Sequence, residues 1–131
     1  MKIKLYFLAL LIFLGIDALW LGLVAPGFYR SQIGHLMAET PNLFAAGIFY
    51  LLFVGVLVHF VIEPALRIGT IREAWVRGAM FGLVTYATYD LTNLATLRDW
   101  PLLVTIVDLA WGTTLTAGTA AASVWAGRKI L

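Results

Sequence analysis

Three aspartates lie inside apolar stretches of this chain: Asp17 in IFLGIDALWLGLV, Asp90 in VTYATYDLTNLAT and Asp108 in LLVTIVDLAWGTTL. No lysine or arginine shares those stretches with them. An aspartate at the centre of a membrane helix costs ~2.5–3.5 kcal/mol on insertion scales, so acids in such places are candidates for function. On a helix, neighbours fall at i±3 and i±4. That spacing puts Tyr86 and Asn93 beside Asp90, Thr105, Trp111 and Gly112 beside Asp108, and Trp20 beside Asp17. Like charges brought close together out of water cannot all ionise. Three acids without a base must therefore share protons, bind a cation or open to water.

Four readings follow from this chemistry. Carboxylates, tyrosine, asparagine and threonine oxygens are hard ligands, so the group suits a proton, a metal ion or, with Trp20 and Trp111 offering ring faces, an organic cation. Such a site lends itself to coupling with transport. The alternative is a membrane-embedded enzyme that acts on a lipid or other hydrophobic substrate, with the same acids as general acid and base or as holders of a metal that polarises a phosphate or ester. The third is a non-catalytic lipid- or pigment-binding protein. The last is a polar cluster that only locks helices together. Interhelical hydrogen bonds in membranes average about 0.6 kcal/mol, a poor return for three aspartates. The preferred site is Asp17, Asp90 and Asp108, with Asn93, Tyr86 and Tyr50 completing its shell and Trp20 and Trp111 as walls. No cofactor is identified; a metal ion at Asp17, Asp90 and Asp108 is the candidate the ligand set offers.

The elements that carry these residues follow from composition. Of 131 residues, 62% are hydrophobic and 12% charged, against about half apolar and a quarter charged in soluble domains. The chain reads as an integral membrane protein with the bilayer as its first partner. A net charge of +2 gives no reason to expect nucleic acid. The absence of cysteine excludes disulfides, thiol catalysis and thiolate metal sites. Spans of about 20 apolar residues fall near 3–24, 42–62, 75–97 and 101–126. This predicts an all-α membrane protein, with residues 1–131 forming a single four-helix transmembrane bundle. The apolar N-terminal run is too long for a signal-peptide core and lacks a small-residue cleavage site, so it is expected to be a retained span. Pro26-Gly27 should end the first span and Glu63-Pro64 the second, with Arg98-Asp99-Trp100-Pro101 a tight hairpin. Residues 26–41 are either a short interfacial helix, given the spacing of Tyr29, Ile33, Leu36 and Met37, or an irregular loop.

Basic residues set the orientation. With the N-terminus inside, Lys2, Lys4, Arg67, Arg72, Arg77, Arg128 and Lys129 are cytoplasmic and only Arg30 and Arg98 are outside. Both termini are thus expected in the cytoplasm. At 1.5 Å per residue, Asp17, Asp90 and Asp108 then share a level ~11–12 Å below the outer boundary, and Tyr50 is the matching residue of the second span. The motif apolar-Asp-x-x-Trp occurs twice, at residues 16–20 and 107–111 on oppositely directed helices, a weak echo of the inverted repeats of transporters. Gly78 and Gly82 make a small-xxx-small face, suited to packing within the bundle or to a homo-oligomer. Trp75, Trp100 and Trp125 fall at span ends, where an aromatic belt explains them. His35 and His59 lack a partner at metal-ligand spacing.

The blocks Tyr86-Ala87-Thr88-Tyr89-Asp90-Leu91-Thr92-Asn93 and Asp108-Leu109-Ala110-Trp111-Gly112-Thr113, with Asp17-Ala18-Leu19-Trp20 and Phe28-Tyr29-Arg30, resemble a family of small bacterial membrane proteins catalogued as domain of unknown function 2177. The resemblance covers nearly the whole chain. It implies a bacterial four-helix protein of the inner membrane and carries no assigned activity, so the roles above rest on the residues alone.

Overall fold

The computed structural model describes residues 2–131, which are almost wholly helical. Helix α1 runs Lys2–Leu23 and α2 Ala25–Ile33, followed by a single 3₁₀ turn at Gly34–Leu36. Then come α3 at Leu43–Ile68, α4 at Ile71–Thr96 and α5 at Leu102–Ile130. The boundaries have local causes. Pro26 lacks the N–H that would continue α1 and its ring crowds the carbonyl four residues back, so the chain breaks at Val24 and Pro26 falls in the first turn of α2. Asn42 caps α3 by accepting the Ala45 N–H at 3.1 Å, and Thr70 caps α4 by accepting that of Glu73 at 3.2 Å. Gly69 closes α3 with φ of +90°, a left-handed conformation natural to glycine. Pro101 opens α5.

One expectation is corrected here. Glu63-Pro64 does not end the second long helix, which continues to Ile68. The segment Val58–Ile62 just before it takes the wider π-helical turn. That widening relieves the collision between the Pro64 ring and the preceding turn without breaking the helix.

Three helices, α1, α3 and α5, are long and apolar enough to cross a membrane. The sequence led us to expect four. Helix α4 has the length, 26 residues, but its second half carries Thr85, Tyr86, Thr88, Tyr89, Asp90, Thr92, Asn93 and Thr96, which lowers its mean hydropathy. Several of those threonines return their hydroxyls to the carbonyl one turn back, Thr88 to Val84 at 2.7 Å and Thr96 to Thr92 at 2.8 Å, which quiets their polarity locally.

The core is built from residues three to five apart on each helix. Leu5, Ala9 and Phe13 on α1 are fully buried, as are Val54, Leu57 and Ile62 on α3 and Leu115, Ala120 and Val124 on α5. On α4 the same spacing selects Ala74, Gly78 and Gly82. The closest helix pair is α4 with α5. A methyl added at Gly78 would lie 2.9 Å from the Ala117 Cα, and one added at Gly82 would lie 2.7 Å from the Thr116 Cβ. The Gly78/Gly82 face is therefore spent inside the chain. Of the two uses expected for this face, it is the packing within the bundle that the structure displays.

Both chain ends and the Gly69 turn lie at one end of the helices, and α2 and the turn at 97–101 lie at the other. At the first of these, the termini end, Glu63 is buried and takes Arg67 at 2.7 Å and Lys2 at 3.7 Å, while Arg77 pairs with Glu73 at 2.5 Å. Trp75 and Trp125 are half-exposed there, with Lys129 standing 4.0 Å over the Trp125 ring.

Candidate functional site: an acidic, aromatic cavity

The spacing that builds the core also delivers the acids. Continue the α1 stripe of Leu5, Ala9 and Phe13 by one turn and it reaches Asp17. Continue the α4 stripe of Ala74, Gly78 and Gly82 by two turns and it reaches Tyr86 and then Asp90. On α5, Asp108 lies one turn before Gly112 on the same buried stripe. All three carboxylates are buried, and Asp90 is 0% exposed. They stand where the apolar core gives out toward the hairpin end.

A cavity of about 560 Å³ opens at that level. Its lining comprises Asp17, Trp20 and Leu21 of α1, Tyr29 and Ile33 of α2, Phe49 of α3, Thr85, Tyr86 and Tyr89 of α4, Trp100 of the hairpin, and Asp108 and Trp111 of α5. No basic side chain is among them. Asp17 accepts from the Tyr50 hydroxyl at 2.5 Å and from the Trp111 indole N–H at 3.3 Å. Asp108 accepts from the Tyr29 hydroxyl. Neither oxygen of Asp90 has a donor. Its carboxyl lies beside that of Asp108, and a hydrogen bond between the two requires a proton on one of them. Tyr86 stands within electrostatic reach of all three acids, and its ring packs over Gly112, where an added methyl would overlap it.

The two Asp-x-x-Trp motifs face each other. Trp20 and Trp111 stack with centroids 4.5 Å apart and planes within 10°. The exchange is one-sided, however: Trp111 reaches Asp17, whereas Tyr29 holds Asp108, with its ring edge-on to Trp20 at 6.4 Å.

Of the expected site residues, Asp17, Tyr86, Trp20, Asp108 and Trp111 line the cavity. Tyr50 stands just behind Asp17, and Asp90 stands behind Asp108. Asn93 does not join them, because it lies beyond Asp90 toward the hairpin, outside the lining. Among the described residues no group of three or more His, Cys, Asp or Glu side chains is placed to hold a metal ion. Asp17 is held by Tyr50 and Trp111, and Asp108 by Tyr29.

Tyr29 and Trp100 line the cavity without having been singled out for it from the sequence. Residues 25–33 do form a helix, and its Tyr29 lines the cavity. Burial first, and then the Asp108 carboxylate, push the Tyr29 phenol above its ordinary range, so it remains a donor. Trp100 is no belt residue: it is 7% exposed and donates to Thr105 Oγ1 at 3.1 Å. The signal for Tyr29 was its helical spacing with Ile33, while depth arithmetic confined to spans could not place it. Replacing Tyr29 with Phe should leave one Asp108 oxygen without its donor, a loss of about 1–3 kcal/mol. Amide exchange across residues 25–33 should quicken by at least tenfold as α2 loosens, with exchange in α5 unchanged.

Fold and site together define an all-helical integral membrane protein with an acidic, aromatic cavity inside it. A family model described as "Predicted membrane protein (DUF2177)" matches residues 2–125. The chain belongs to that family, as its sequence blocks suggested. No curated protein and no solved structure matches it.

Proposed function

We propose that this protein binds an organic cation in the cavity between Asp17 and Asp108, inside a four-span bundle of the bacterial inner membrane with both termini in the cytoplasm. The observation that carries this reading is the composition of the cavity wall. Two carboxylates, with a third behind them, sit among indole and phenol rings with no lysine or arginine on the lining. Desolvated acids attract a cation strongly, and aromatic faces add cation–π attraction of up to ~2 kcal/mol each when water is excluded. The volume falls in the range of about 300–1,000 Å³ typical of small-molecule sites.

Burial supports the fourth span. The polar half of α4 turns Asp90 fully inward and returns threonine hydroxyls to its own backbone, while Met80, Val84 and Leu91 face outward. The basic residues at the termini end support the orientation. Binding is favoured over passage, because below the acids the bundle is filled by Phe13, Leu57, Leu115 and Ile62, all without exposed surface.

Tetraphenylphosphonium tests the reading. Purified protein in lipid nanodiscs should bind it saturably, with one site per chain by isothermal titration calorimetry. It should quench the fluorescence of the Trp20–Trp111 pair, a signal lost in Trp111→Phe. Absence of saturable binding would remove the cation from the proposal.

A further inference from the structure

We infer that the cavity is loaded sideways, through a cleft between α3 and α4, so that its ligand is an organic cation already dissolved in the bilayer. The inference deepens the cation-binding reading and rests on it for the charge of the ligand. The route rests on packing alone.

Helices α3 and α4 touch at the termini end and diverge toward the hairpin end. Their last ring contact is Phe53 with Phe81, centroids 5.5 Å apart. One turn further on, the facing residues are Phe49 and Thr85, and both line the cavity. Phe49 is 48% exposed and Tyr89 is 55% exposed, so the walls on either bank of the cleft are open on their outer side. Two other approaches are covered. Tyr29 and Ile33 of α2, with Trp100, cover the hairpin end, and the stacked Trp20–Trp111 pair closes the side between α1 and α5. Phe53 and Phe81 form the sill. The cleft thus faces hydrocarbon, where a bare inorganic ion is not found and a cation whose charge is wrapped in carbon partitions readily. Its acids complete the match, since a ligand that enters from lipid meets no counter-charge until it reaches Asp17 and Asp108.

The chain has no cysteine, so single thiols report access cleanly. Thr85→Cys and, on the opposite bank, Phe49→Cys would be compared with Ser31→Cys on the exposed face of α2 in reconstituted vesicles. The probes are a membrane-dissolved pyrene maleimide and the water-borne anion sulfonatoethyl methanethiosulfonate. The expected result is that the maleimide labels residue 85 at least as fast as residue 31, at a rate that follows its mole fraction in lipid. The anionic reagent should label residue 85 at least tenfold more slowly than residue 31. Equal labelling by the anionic reagent would overturn the inference in favour of entry from water. Failure of both reagents at 85 and 49 in protein that is folded by circular dichroism would overturn it too, as for a cleft closed by a second copy. Neither arm requires a bound cation. Absent tetraphenylphosphonium binding with lipid-side labelling intact would strike the cation and leave the route.

Discussion

Asp17→Asn should weaken tetraphenylphosphonium binding about 100-fold while leaving the helical content unchanged. A factor of 100 corresponds to ~2.7 kcal/mol, within the range of about 2–5 kcal/mol for removing one partner of a buried charge pair. The change keeps size and shape but deletes the charge nearest the Trp111 ring. It also disturbs an acceptor that serves two donors at once, the Tyr50 hydroxyl and the Trp111 N–H. An asparagine presents only one oxygen to those two and turns an NH₂ toward the other. That mismatch costs stability, and the removal of an ionisable group from an apolar setting offsets part of it, so the midpoint of thermal unfolding should move by only a few degrees. Calorimetric titration checks the affinity and circular dichroism the fold. Affinity within threefold of the parent protein would refute the role given to Asp17.

The largest stability effect belongs to the glycines between α4 and α5. At Gly82, a methyl group would fall into the Gly112 carbonyl and the Thr116 side chain, and at Gly112 it would fall into the Tyr86 ring. Overpacking of this kind costs about 1–3 kcal/mol and sometimes more, and Gly82 is at the upper end because the obstructing atom is backbone. Gly82→Ala is therefore expected to destabilise by roughly 3 kcal/mol. Gly112→Ala should lose less stability but displace Tyr86 and reduce binding of the cation along with it. Gly15→Ala is the internal control. Nothing lies within 4 Å of its added methyl, and alanine is the better helix former by up to about 1 kcal/mol, so it should be neutral or stabilising. Unfolding in mixed micelles, followed by circular dichroism, ranks the three. If Gly82→Ala proved as stable as Gly15→Ala, the close α4–α5 contact would be wrong.

Much of the architecture was legible because membrane helices write their length in apolar runs and their ends in proline, glycine and capping residues. The four long helices fall close to where hydropathy placed them. Pro64 misled because a proline rule assumes an α-helical turn, and the π-turn at Val58–Ile62 removes the clash that the rule relies on. Helix α4 was credited as a span from its length and position, while its polar half keeps it below what composition alone supports. The acids were legible for a simple reason: an aspartate in an apolar run has nowhere to go but inward. Their partners were not equally legible. Tyr50 could be placed level with the acids by counting rise per residue along the spans, though not assigned to Asp17 in particular. Tyr29 could not, since its approach to Asp108 depends on how the chain folds back after Val24. A sequence shows which oxygens share a depth, but not that Tyr50 holds Asp17 while Tyr29 holds Asp108.

On the proposed cation-binding reading, the covering of the hairpin end by Tyr29, Ile33 and Trp100 has a consequence for which ions can be told apart. Screening by dissolved salt acts over about 8 Å in physiological solution, but a roof of rings keeps that ionic atmosphere away from Asp17 and Asp108. Discrimination then falls to the cost of shedding a hydration shell. Sodium or magnesium would arrive having surrendered tightly held water for a few phenol and carboxyl oxygens. A bulky onium ion surrenders little, and in exchange meets π-electron faces on several sides.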